Sequence, residues 1–126
     1  MSKNKKIKII LASDHAGFKL KEEIKKFLIK KRKEIMDLGT DSHSSVDYPD
    51  FAHSLAKKIK NDSKLLGILV CGSGIGMDIV ANKHKNIRAA LCYSVKSTRL
   101  SREHNNANVM AIGARLTKKK VALKCV

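Results

Sequence analysis

The sequence predicts one α/β domain of three layers, with helices on both faces of a five-stranded parallel sheet. Three observations predict it. Strand and helix signals alternate along the whole chain, the strands are aliphatic runs, and 126 residues suit one domain. At 43% hydrophobic, without tryptophan and with 4% aromatics, the core must be packed by Ile, Leu, Val and Ala. Those residues fill the two buried faces of a parallel sheet.

Residues 6–13 (KIKIILAS) read as a short buried strand. In residues 17–32, Leu20, Ile24, Phe27 and Leu28 recur at helical spacing and predict a helix. Residues 34–38 (EIMDL) form a second strand, closed by Gly39. Residues 40–50 (TDSHSSVDYPD) are rich in turn formers and hold the only proline, Pro49. Asp50 is expected to cap a helix that turns Phe51, Leu55 and Ile59 inward. Residues 65–71 (LLGILVC) are apolar on both faces, which marks a central strand. The loop GSGIG follows and opens a helix to about residue 83. Residues 88–92 (RAALC) make a fourth strand, 94–104 a helix, and 109–112 (VMAI) a fifth strand ending at Gly113. Thr117 is expected to cap a basic segment that has only begun a helix at residue 126.

Strands and helices in strict succession imply βαβ units, right-handed crossovers and a Rossmann-like sheet covered on both sides. In such folds ligands bind beyond the carboxyl ends of the strands. The site should therefore gather Ser13, Asp14 and His15, the Gly39 loop with Asp47 and Tyr48, Cys71 with its glycine loop, and residues after the last two strands.

The formal charge is +16, from 27 basic and 11 acidic side chains. A basic domain can bind nucleic acid through its phosphates. Here the lysines are spread over residues 3–8, 19–33, 57–64 and 118–124, and Phe18, Phe27, Tyr48, Phe51 and Tyr93 are scattered. Stacking on single strands needs clustered aromatics. The charge thus reads as a lysine-rich surface that favours small anions, and nucleic acid is not the expected partner. Cys71, Cys92 and Cys125 are odd in number and widely spaced, which makes neither a disulfide framework nor a zinc site. The five histidines show no metal-binding spacing. The apolar run 7–12 is broken by Lys8 and followed by Asp14 and His15, too short and polar for a signal peptide. No segment reaches membrane-spanning length, so a reducing, cytoplasmic setting is expected.

The strongest local signal is CGSGIG, residues 71–76. A strand running through Gly72, Gly74 and Gly76 into a helix aims backbone N–H groups at one point, a nest for a phosphate or an oxyanion. The spacing excludes three familiar uses. Met77 stands where a dinucleotide fingerprint needs glycine and where a C-x5-R phosphatase loop needs arginine, and GMD does not match the GK[ST] of a P-loop. A tight turn packing helix on strand is the competing reading. Cys71 begins this loop, where a helix N-terminus favours thiolate; the bland alternative, a small buried hydrophobe, suits Cys92 better. Asp14 can cap a helix, which leaves His15 unexplained. His104, at a helix end, can simply complement the dipole there.

Five blocks go further: SDHAG (13–17), DYPDFA (47–52), CGSGIGMDIVANK (71–83), IRAALC (87–92) and LSREHNNANVMAIGAR (100–115). In this order they resemble the type B ribose-5-phosphate isomerases, a group within the ribose/galactose-6-phosphate isomerase family. The resemblance implies an aldose–ketose isomerase of the non-oxidative pentose phosphate pathway. It would interconvert ribose 5-phosphate and ribulose 5-phosphate through an enediolate, without metal or organic cofactor. It implies Cys71 as the base between C1 and C2, Ser73 as a hydroxyl beside it, and His104 as the acid/base that opens the furanose ring. Substrate contacts are implied at Asp14, His15, Asp47, Tyr48, Gly72, Gly74, Ile75, Gly76 and Asn105, with Arg115 on the phosphate. A homodimer or larger assembly is also implied, the Cys71 loop of one subunit facing His104 and Asn105 of another. Within the family the alternative is a galactose-6-phosphate or other aldose-6-phosphate isomerase. Outside it, the alternative is a non-enzymatic anion or nucleic-acid binder.

The sequence departs from the pattern at its end. Relatives of this kind carry a C-terminal helix whose arginines clamp the phosphate, whereas here the last residues are KKKVALKCV. Residues 1–126 are therefore expected to form a single isomerase domain lacking the full helix. Lys118 to Lys120 would substitute only in part, since lysine lacks the bidentate fork of arginine.

Overall fold

In the computed structural model residues 7–60 and 62–126 are described; residue 6 of the expected first strand and the basic start lie outside them. The elements are β1 (Lys8–Ser13), α1 (Phe18–Lys30), β2 (Glu34–Asp37), α2 (Tyr48–Ile59), β3 (Leu65–Cys71), α3 (Ile75–Ala81), β4 (Ala89–Leu91), α4 (Val95–Asn105), β5 (Val109–Gly113) and α5 (Lys119–Cys125). The five strands pair in parallel in the order β2-β1-β3-β5-β4. After β1 the chain moves outward to β2, then returns across the sheet to β3. The crevice between β1 and β3 is thus a topological switch point, where open α/β sheets bind their ligands.

Alternation along the strands divides the core into two halves. Ile10, Ala12, Leu69 and Cys71 face α2 and α3, meeting Leu55, Ile59, Met77 and Ala81. Leu11, Ile68, Val70 and Ile112 face the other way, against Leu20, Ile24 and Leu28 of α1 and Ala122 of α5. Each fully buried aliphatic side chain contributes about 1.5–3 kcal/mol of transfer free energy. The central strand carries the longest such run, buried from Gly67 to Cys71. α4 differs from the other helices in having no buried residue at all.

Two expected caps are corrected. Asp47, not Asp50, occupies the N-cap of α2, and Pro49 sits in the first turn, where its missing N–H costs nothing. Asp50 falls inside that first turn, where its charge still suits the helix dipole. Lys118, not Thr117, is the N-cap of α5. Thr117 is instead buried, its amide donating to Gly113 O at 2.9 Å, and α5 completes about two turns rather than only beginning.

One feature of the core is charged. The Lys21 side chain is fully buried, its ammonium 2.6 Å from Asp37 and 2.9 Å from Glu22, with Lys25 also 2.9 Å from Asp37. Burial pushes the Asp37 carboxyl upward, but the hydrogen bonds from Lys21, Lys25 and the Gly39 amide outweigh it and hold the group below its ordinary range. This cluster ties α1 to the end of β2. The following loop is then docked over β1: Ser13 N donates to Gly39 O at 2.7 Å and Thr40 N to Ser13 O at 2.8 Å.

Candidate functional site

At the carboxyl ends of β1, β3 and β5 lies a cleft of about 460 Å³. Cys71, Gly72, Ser73, Ile75 and Gly76 form one wall, with Asp14, Tyr48, Arg115 and Leu116 around them. Eight residues singled out in the sequence are therefore brought together by the switch-point geometry.

Cys71 ends the central strand, 4% exposed yet bordering the cleft, and its Sγ accepts the Gly74 N–H at 3.1 Å. An amide donor at that distance fixes the position of the sulfur at the cleft wall. The turn that aims it needs Gly74 in the left-handed region, at φ 81°, where a Cβ would also meet Gly113 N at 2.9 Å. Ser73 Oγ accepts the Ile75 N–H at 3.2 Å. Of the amides from residues 72 to 76, those of Gly74 and Ile75 are thus turned to side chains of the loop itself. The first-turn amide of Gly76, which lines the cleft, has no acceptor within the helix and remains suited to an anion.

The surrounding side chains are placed by close backbone approaches. A Cβ at Gly76 would lie 2.6 Å from the Tyr48 ring, so only glycine admits the tyrosine at this depth. Arg115 N donates to Gly72 O at 2.9 Å, and its Nη1 lies 3.0 Å from where a Cβ at residue 72 would stand. The guanidinium is therefore laid across the glycine loop. Asp14 does not cap α1, whose N-cap is Gly17 without a side-chain bond, and acts in the turn before it. Its Oδ1 accepts the Gly17 N–H at 2.9 Å, and the residue also lines the cleft.

Five expected residues do not border this cleft, Gly74 among them, which is buried with its amide on the Cys71 sulfur. Asp47 caps α2 beside Tyr48 and is exposed. His15 is half-buried, and its Nδ1 accepts the Val46 N–H at 3.1 Å. The neutral ring then carries its proton on Nε2. His104 and Asn105 lie in the last turn of α4 and are exposed. A crossover helix runs back from the carboxyl to the amino ends of the strands, so within one chain these two residues sit at the far end of the sheet from Cys71.

Leu116 was not anticipated, although its place directly after Arg115 beyond β5 was a usable signal. Nor was Asp78, one turn into α3, whose buried Oδ1 has no hydrogen-bond partner and whose carboxyl is pushed up by burial. Burial likewise pushes up the Cys92 thiol, in line with an inert core residue. No helix among the described residues is long and apolar enough to cross a membrane.

Comparison with known proteins adds four findings. Residues 9–126 match the family described as Ribose/Galactose Isomerase. Ribose-5-phosphate isomerase B of Escherichia coli is 43% identical over 109 residues, which are 86% of this chain and 73% of that protein. Among solved structures, a ribose 5-phosphate isomerase from Thermotoga maritima superposes with a TM-score of 0.91 at 46% identity, covering 94% of this chain and 82% of that one. Ribose-5-phosphate isomerase B from Mycoplasma genitalium, solved with bound ribulose-5-phosphate, gives 0.91 at 42% identity, covering 94% and 80%.

Proposed function

The chain belongs to the ribose/galactose isomerase family, and from that premise we propose that it interconverts ribose 5-phosphate and ribulose 5-phosphate. The observation that carries this reading is a cysteine sulfur at the wall of the switch-point cleft, held by an amide donor and next to first-turn N–H groups. The names of its relatives, and the ribulose 5-phosphate bound by one of them, support the choice of substrate.

The chemistry follows from the residues. In open-chain ribose 5-phosphate the Cys71 thiolate takes the C2 proton, and the electron pair moves toward the C1 carbonyl to give an enediolate. The Gly76 amide and the Ser73 hydroxyl stand at the developing charge, donors typically worth about 3–4 kcal/mol. The O2 proton then passes to O1, the thiol returns its own proton to C1, and the C2 oxygen becomes the ketone. Arg115 and Tyr48 hold the rest of the sugar phosphate, with Asp14 on a hydroxyl. His15 and Asp47 support this wall from behind, His15 through Val46 and Asp47 through the start of α2.

Ring opening falls to His104 with Asn105 beside it. Since these stand at the far end of their own sheet, they are supplied by a second copy of the chain. Residues 1–126 act as a single isomerase domain in a cytoplasmic homodimer, within the non-oxidative pentose phosphate pathway. A coupled assay tests the substrate: turnover of ribose 5-phosphate well above that of 6-phosphohexoses is expected, and the reverse preference would assign a hexose phosphate instead.

A further inference from the structure

One couple of titratable groups outside the cleft has no part in the proposed reaction. His53 on α2 and His84 just past α3 place Nδ1 and Nε2 2.6 Å apart, with ring centroids 4.9 Å apart and planes at 64°. Both residues are half-buried. At that separation one nitrogen donates and the other accepts, so the contact holds one proton between two rings. No group of three or more His, Cys, Asp or Glu suited to a metal occurs among the described residues. The couple is a hydrogen bond between two elements.

The same two helices shape the cleft. Tyr48, the first residue of α2, packs against Gly76 in the first turn of α3, and His53 and His84 join the elements further along. Between these contacts lie the buried small side chains of Ala52 and Ala81, which allow close approach and little slack. We propose that His53 and His84 are positioning residues: the shared proton sets the spacing of α2 from α3 that seats Tyr48 on Gly76, and protonation of both rings releases it. This rests on the isomerase reading only in treating Tyr48 and Gly76 as substrate contacts.

With both rings protonated neither has an acceptor, and two cations meet at contact distance. Lys57, one turn beyond His53, adds positive charge; Lys83 and Lys85 flank His84, and Asp50 one turn before His53 is the acid on that face. Burial, then His53 and Lys57, hold His84 below its ordinary range. The folded state thus binds its proton less readily than the unfolded chain. The contact is intact above about pH 6.5, the ordinary histidine value, and is lost as pH falls through the folded value, which lies below it.

The test follows the imidazole nitrogens and the Gly76 amide by NMR from about pH 8 to pH 5, alongside KM and kcat for ribose 5-phosphate, in the wild type and His84→Gln. Glutamine can make the bond and cannot titrate. In the wild type the two rings titrate as a coupled pair and the Gly76 amide moves with them. KM rises about fivefold in acid, more than kcat changes. In His84→Gln the neutral-pH KM stays within about twofold and the acid rise of KM and the amide shift are both flattened. Independent titration of the two rings with an unmoved Gly76 amide overturns the proposal, as does an equal acid rise in the variant. Absence of any sugar-phosphate turnover would sink the isomerase reading alone, since the NMR measurement decides the pair by itself.

Discussion

Cys71 and His104, the two residues read as working on the substrate's protons, stand in opposite surroundings. Cys71 is 4% exposed at the end of the central strand, and its sulfur is bonded to Gly74 N–H. His104 is exposed in the last turn of α4, which buries none of its residues. The core of this chain therefore fixes the sulfur, whereas the imidazole can be fixed only by something packed on α4. Apolar side chains mark where that would be: Val95 and Leu100 on α4 are 36% and 39% exposed, and Ile75, Ile79 and Leu116 near the cleft 48%, 55% and 71%. A base needs a rigid frame, since small misplacements cost large factors in rate. On the proposed reading, one half of the reaction belongs to the fold and the other half to an assembly.

Removing the base should have the largest effect. Cys71→Ala is expected to lower kcat/KM for ribose 5-phosphate about a thousandfold, or about 4 kcal/mol, with unchanged circular dichroism. Next comes the frame. Lys21→Met leaves the half-buried Asp37 without its closest cation and should cost about 3 kcal/mol in urea unfolding. The folded Asp37 carboxyl lies below its ordinary range, so its stabilisation is present above about pH 3.9 and is lost as pH falls through the folded value. That acid limb should shrink in Lys21→Met; an identical limb in both proteins would show the cluster to be idle.

His104→Asn should cost about 2 kcal/mol, near thirtyfold, on ring-closed ribose 5-phosphate and leave an acyclic sugar phosphate within about twofold. Equal losses on both would refute ring opening as its role. The smallest change is expected of Leu100→Ser. It should alter the stability of the isolated chain by less than about 0.5 kcal/mol, yet shift sedimentation toward monomer and lower activity on dilution. A dimer untouched by it would move the interface off α4.

How far the sequence exposes this arrangement depends on the range of each interaction. The five strands and the glycine loop are local patterns: LLGILVC followed by GSGIG needs no knowledge of the rest of the chain. The switch-point rule then gathers Asp14, Tyr48, Cys71 and Arg115 without any contact being known. What is hidden is set by tertiary partners. Lys21 looks like one more surface lysine of α1 until β2 brings Asp37 to it, 16 residues away. The His53–His84 contact likewise spans 31 residues. The cap of α2 was misplaced for a local reason, because Pro49 draws the helix start back to Asp47. The Gly74 and Ile75 amides read as free donors because the turn that hands them to Cys71 and Ser73 is fixed by packing against Gly113.

The most direct measurement follows the hydrogen that Cys71 is held to remove. Ribose 5-phosphate deuterated at C2 would be incubated with the wild type and with Cys71→Ala, and the label at C2 followed by mass spectrometry. Loss of the C2 label with the wild type and its retention with the variant is the predicted result. Release of that label by the variant at the wild-type rate would contradict the assignment of the sulfur as the base.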